Sequence, residues 1–137
     1  MTQRDVTPQE DTLSTPPPTL AAAFRQRPVL ITGGAGFIGT NLAHRLLSAG
    51  QDVLIFDNLS RPGVEQNVHW LCARHGSRVR MCVADMRDAS VLHEAVQQAA
   101  QVFHFAAQVA VTTSVLNPKE DFEVNALGTM NLLEALR

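Results

Sequence analysis

Val29-Leu30-Ile31-Thr32-Gly33-Gly34-Ala35-Gly36-Phe37-Ile38-Gly39 is the stretch that decides the fold. An apolar run with β-branched residues enters a glycine-dense turn, and an amphipathic stretch from Phe37 to Ala49 leaves it. The pattern reads as strand, tight loop, helix. Gly33 or Gly34 is expected to take backbone angles that a Cβ forbids. Gly36 would let the main chain lie against a pyrophosphate, and Gly39 would let the helix pack closely on the strand. The first-turn N–H groups, at Phe37, Ile38 and Gly39, would face the phosphates with a dipole of roughly half a positive charge behind them. Gly34, Gly36 and Gly39 satisfy G-x-G-x-x-G, and Gly33, Gly36 and Gly39 the wider G-x-x-G-x-x-G. On its own such a turn is also compatible with a purely structural role.

A second strand closing on an acid about 20 residues further on makes the pattern a dinucleotide fingerprint. Val53-Leu54-Ile55-Phe56-Asp57 supplies it. A carboxylate at Asp57 accepts both adenosine-ribose hydroxyls and repels a 2′-phosphate, which favours NAD over NADP; a helix cap or a solvated turn acid is the alternative. Arg61 partly opposes this preference, since a guanidinium near that loop holds phosphate or stacks on adenine.

Working outward, Pro28 opens the first strand. The first helix carries Leu42, Leu46 and Leu47 at helical spacing and ends at Gly50. Strand two covers 52–56 and a helix 64–75. Strand three, 78–84, carries Val79, Met81 and Val83 in alternation. Asp88 caps a helix running to about Ala100, and strand four covers 101–105. Asn117-Pro118 reads as a turn. A last helix, 120–136, has Phe122, Val124, Leu127, Leu132 and Leu133 as its apolar set. This β-α alternation predicts the α/β class: a Rossmann-type doubly wound parallel sheet of order 3-2-1-4 over residues 28–137. Residues 1–27, with Pro16-Pro17-Pro18, read as a disordered tail in which Ala21–Phe24 forms a short helical turn.

Further candidates sit at strand ends. Asp85 follows strand three where an adenine amino group would lie, with the Met86 backbone beside the ring; a strand-end turn acid is the alternative. His104-Phe105-Ala106-Ala107-Gln108 closes strand four. Its small residues allow the main chain near the cofactor's middle, or tight helix packing. His104 reads as a satisfied core histidine rather than a proton shuttle. Thr112, Thr113 and Ser114 bind a polar substrate or cap the next short helix. Asn125 binds the backbone of strand four, binds the cofactor's ribose, or faces solvent.

Composition excludes several classes. The 137 residues, 45% hydrophobic, suit one globular domain. Net charge is −2 with scattered basic residues, so no nucleic-acid footprint is expected. No apolar run is long enough to span a bilayer. The N-terminus has acids and prolines where a secretory h-region would be, which points to a cytoplasmic location. Cys72 and Cys82 have no metal or redox spacing and read as reduced thiols. His44, His69, His75 and His93 form no metal-ligand grouping, so no metal is expected.

Together, Thr32–Gly39, Asp57-Asn58-Leu59-Ser60, Asp85–Asp88, His104–Gln108 and Asn125–Ala135 resemble the extended short-chain dehydrogenase/reductases, the NAD-dependent epimerase/dehydratase family of nucleotide sugars. Residues 57–63 and 106–114 are most similar to its CDP-paratose 2-epimerase subgroup. The resemblance implies NAD as cofactor, Asn58 among the residues around it, a nucleotide-sugar substrate, and homo-oligomers among full-length members. It also implies transient hydride transfer to NAD, assisted by a Tyr-x-x-x-Lys pair and a Ser or Thr. This chain has no tyrosine, and its one lysine is Lys119 beside Pro118. The resemblance therefore implies the cofactor-holding, N-terminal part of such an enzyme, without catalytic residues and inactive in isolation. A nucleotide-sugar dehydratase or decarboxylase fits the same residues, as does a non-catalytic dinucleotide-binding module.

Overall fold

The computed structural model describes residues 27–137; the tail expected over 1–27, with its helical turn at 21–24, lies outside them apart from Arg27. In chain order the elements are β1 Val29–Thr32, α1 Phe37–Ser48, β2 Val53–Asp57, α2 Val64–His75, β3 Val79–Val83, α3 Ala89–Gln97, β4 Gln101–His104, α4 Val111–Leu116, α5 Pro118–Phe122 and α6 Gly128–Leu136. All strands pair in parallel, in the order β3-β2-β1-β4.

The strands alternate between two covered faces. Leu30, Leu54 and Phe56 pack with Leu92, Ala95 and Val96 of α3 and with Leu132 and Ala135 of α6. Val29, Ile31, Val53 and Ile55 face Ala43 and Leu47 of α1 and Leu71 of α2. Each fully buried Leu, Ile or Phe contributes roughly 1.5–3 kcal/mol relative to exposure. The register sets Thr32 beside both Phe56 and His104. The carboxyl ends of three strands therefore lie level, and the chain order reverses between β1 and β4. Open α/β sheets bind ligands at such a switch point.

Three expectations need correction. Burial fades along β3 from Val79 to Val83, which is 63% exposed, because this edge strand has a neighbour only on its β2 side. Asn117 is a helix cap, its side chain accepting from Glu120 N at 3.3 Å, with Pro118 in the first helical position. The helix expected over 120–136 is interrupted by a π turn, Glu123–Leu127. The inserted residue shifts the helical phase. Phe122, Leu127 and Leu133 are left exposed, while Gly128, Leu132 and Ala135 are buried. Among the described residues no helix is long and apolar enough to cross a membrane.

Candidate functional site

The turn after β1 resolves the choice between its first two glycines. Gly33 holds φ +67°, and a Cβ there would stand 2.6 Å from Ala106 N. It is both left-handed and pressed against the chain leaving β4. A Cβ on Gly39 would stand 2.5 Å from Gly33 O, so α1 packs on the turn itself rather than on the strand. Gly36 is different: a Cβ there would meet only Gly33 O, at 3.3 Å. It is the N-cap of α1, with no capping side chain and no acid in the first turn. Helical geometry leaves the N–H groups of Phe37, Ile38 and Gly39 without intrahelical partners. The Phe37 and Ile38 side chains turn outward into a groove shared with Phe103 and Phe105, so these two residues offer the turn only backbone.

Asp57 closes β2 and braces this turn. Its Oδ2 accepts from Ala35 N at 3.0 Å and its Oδ1 from Leu59 N at 2.9 Å. Each oxygen keeps a lone pair for a hydroxyl. The second bond accompanies an uncommon left-handed Leu59, φ +54°. Asn67 on α2 donates to Ala35 O at 2.8 Å and holds the turn from the other side. Arg61 reaches across the opening, with Nη2 3.5 Å from Ala107 O.

After β3, Asp85 is occupied by its own loop. Arg87 Nε and Nη2 donate to its two oxygens, each at 2.8 Å, and Asn58 Nδ2 donates at 3.0 Å. The Arg87 hydrogen bonds hold the Asp85 carboxyl well below the usual carboxylate range, against a smaller opposing effect of burial. Arg87 also lies 3.6 Å from Glu123. The Met86 side chain is in the core, and its carbonyl accepts from Asn131 at 3.1 Å.

The segment after β4 is held from two directions. Asn125, in the π turn, accepts from Gln108 N at 2.8 Å and donates to Gln108 O at 2.9 Å. Of the roles open to Asn125, the backbone beyond strand four is the one observed. His104 lies between Thr32 Oγ1, 2.6 Å from Nδ1, and Thr129 Oγ1, 3.1 Å from Nε2. Burial pushes its imidazole below the ordinary value. Thr112, Thr113 and Ser114 lie inside α4, whose N-cap is Ala110, so they do not cap it; Ser114 instead donates to Asp121 at 2.6 Å. Neither Cys72 nor Cys82 is in a disulfide.

The fold thus pairs Gly33 with Ala106, Asn58 with Asp85, Arg61 with Ala107 and Gln108 with Asn125, all beyond the carboxyl ends of the strands. Sequence reasoning missed Thr32, Asn67, Thr129 and Asn131. Of these, only Thr129 left a signal, a helical threonine four residues after Asn125 that bonds back to its carbonyl at 2.7 Å. The uncapped amides, the uncrowded Gly36 and the spare acceptor capacity of Asp57 fit a diphosphate joined to a diol-bearing sugar.

Residues 30–137 match the model of the GDP-mannose 4,6 dehydratase family. CDP-paratose 2-epimerase of Salmonella typhi is 46% identical over 111 residues, covering 80% of this chain and 32% of that protein. UDP-glucose-4-epimerase from Stenotrophomonas maltophila, solved with bound NAD and formylated UDP-arabinopyranose, superposes with a TM-score of 0.71 at 33% identity over 81% of this chain and 33% of its own. The Thermus thermophilus UDP-glucose 4-epimerase complex with NAD gives 0.66 at 42% identity, over 78% and 32%. The chain spans about a third of the length of these relatives.

Proposed function

From the GDP-mannose 4,6 dehydratase family, to which this chain belongs, we propose that it is the NAD-holding part of a nucleotide-sugar epimerase of the CDP-paratose 2-epimerase kind. One observation carries the cofactor reading: the uncapped first turn of α1 stands beside a strand-end carboxylate already bonded to Ala35 N at 3.0 Å. The amides of Phe37, Ile38 and Gly39 take the pyrophosphate, and Gly36 leaves it room. Asp57 accepts the adenosine-ribose hydroxyls and disfavours a 2′-phosphate. Asn58, Asp85 and the Met86 backbone bound the adenine pocket, with Arg61 over its opening. Ala106 and Ala107 flank the middle of the dinucleotide, and Asn125 holds Gln108 in place beyond them. When bound, NAD supplies a hydride acceptor that oxidises a sugar carbon and returns the hydride. The reading places the protein in the cytoplasm, where both thiols stay reduced.

The test is calorimetric titration of the chain with NAD and NADP, beside Gly36→Val. NAD is expected to bind, NADP more weakly, and the valine variant to lose NAD binding by at least about tenfold, one steric clash at a phosphate site costing roughly 1.4 kcal/mol or more. Equal NAD affinity in Gly36→Val overturns the reading. A 4,6-dehydratase is the second reading, favoured by the description of the family that matches. It shares the cofactor site; in an intact enzyme that carries this segment, loss of water from the nucleotide sugar, followed by mass spectrometry, separates the two.

A further inference from the structure

The contacts around His104 carry direction as well as distance. Thr129 Oγ1 gives its one hydrogen to Asn125 O at 2.7 Å, so towards His104 Nε2 it only accepts. Nε2 therefore bears a hydrogen. At the other side of the ring, Thr32 is fully buried, and its Oγ1 accepts from Ala106 N at 3.4 Å. In a neutral imidazole whose hydrogen is on Nε2, Nδ1 is bare and receives the Thr32 hydroxyl hydrogen across 2.6 Å. We infer that His104 is held as the neutral Nε2–H imidazole and acts as a positioning residue: it ties the end of β1 to α6 and orients the Thr32 hydroxyl that receives Ala106 N, and its protonation loosens that Ala106 contact and weakens dinucleotide binding. The last clause rests on the cofactor reading above; the lock itself does not.

The consequence of protonation follows from the same hydrogens. A proton on Nδ1 makes the ring a donor at both nitrogens. Thr32 must then turn to accept from Nδ1, and its own hydrogen is left buried with no partner. Its acceptance from Ala106 N is disturbed in the same movement. Among the described residues no carboxylate is paired with this ring to compensate the new charge. β1 carries no ionisable side chain and β4 none besides His104. Glu134 of α6 pairs with Arg137 at 3.0 Å, and Glu123 of the π turn lies 3.6 Å from Arg87 and 3.7 Å from Lys119. Asp121 of α5 accepts from Ser114 and Asn125. Burial is the one influence that shifts this imidazole, and it shifts it down.

The experiment is NMR on the 15N-labelled chain without NAD, followed from about pH 8 to about pH 5, across the histidine range. The ring correlations of His104 are expected to show a protonated Nε2 and a bare Nδ1 at neutral pH. The Ala106 amide signal is expected to move with the same midpoint as the ring. NAD affinity should fall about fivefold through that midpoint, the equivalent of one ordinary hydrogen bond. In His104→Gln, which offers a donor and an acceptor but no titration, affinity should be flat with pH. An Nδ1–H tautomer, an Ala106 amide signal that does not follow the ring, or an unchanged pH dependence in His104→Gln each overturn the inference. If NAD binds at no pH, the cofactor reading fails while the ring and amide signals still decide the lock; they need no variant.

Discussion

The carboxamide of Asn125 meets both backbone groups of Gln108, accepting from its N–H at 2.8 Å and donating to its carbonyl at 2.9 Å, as an adjacent strand would. Asn125→Asp keeps the acceptor but sets a second oxygen against the Gln108 carbonyl and a charge beside Asp121. The expected loss of stability is about 1–3 kcal/mol, the cost of a polar group left without a partner. Urea unfolding of the two proteins checks it; coincident curves would remove the clamp from the account.

Gly39 lies in a helix, where alanine ordinarily stabilises by roughly 0.5–1 kcal/mol. Here a Cβ would meet the Gly33 oxygen at 2.5 Å and Gly34 Cα at 2.6 Å, both backbone atoms that cannot swing aside. Gly39→Ala is expected to destabilise by about 1–3 kcal/mol, as overpacking does. Gly50→Ala is the control: it has open space but φ +87°, so its cost of about 1–2 kcal/mol is conformational. Only Gly39→Ala is expected to weaken NAD binding as well, measured by calorimetry.

The Asp85–Arg87 pair predicts an acid limb in the stability curve. The folded-state carboxyl sits below its ordinary value of 3.8, so its contribution is complete above that pH and is lost as pH falls below it. The pair is partly exposed, 38% at Arg87 and 27% at Asp85, which limits its contribution to about 1 kcal/mol or less. Arg87→Met should flatten the limb by lowering stability at neutral pH by about 1 kcal/mol or less, while leaving stability in strong acid unchanged. Urea midpoints measured from strongly acidic to neutral pH decide this, and an identical acid limb in the variant would refute it.

Asp57→Asn removes the charge that discriminates against a 2′-phosphate. The ratio of NAD to NADP affinity is expected to fall by about tenfold, roughly 1.4 kcal/mol. Because an amide offers one acceptor oxygen to the two N–H groups of Ala35 and Leu59, a lower melting temperature should accompany it. An unaltered cofactor ratio would show that the charge plays no part in the choice.

Much of the architecture was readable because its signals are local. The glycine turn, the acid at the end of β2 and the cap at Asp88 each declare themselves within a few residues. The choice between Gly33 and Gly34 was not local, since it depends on Ala106 arriving from β4. The role of Asn125 was open for the same reason: its partner, Gln108, precedes two further helices. The π turn left no mark, because a single inserted residue between apolar positions still reads as an amphipathic helix. Asn67 and Asn131 bind backbone carbonyls of Ala35 and Met86, and carbonyls carry no residue type to pair with.

The π turn also makes this region intolerant of length change. Removing one residue between Glu123 and Leu127 would restore a regular α-helix and rotate everything beyond it by about 100°. Either Asn125 would then swing off Gln108, or Leu132 and Ala135 would swing off the sheet. A shortened helix would be more regular on paper, yet it would forfeit one of the two attachments that the surplus residue reconciles.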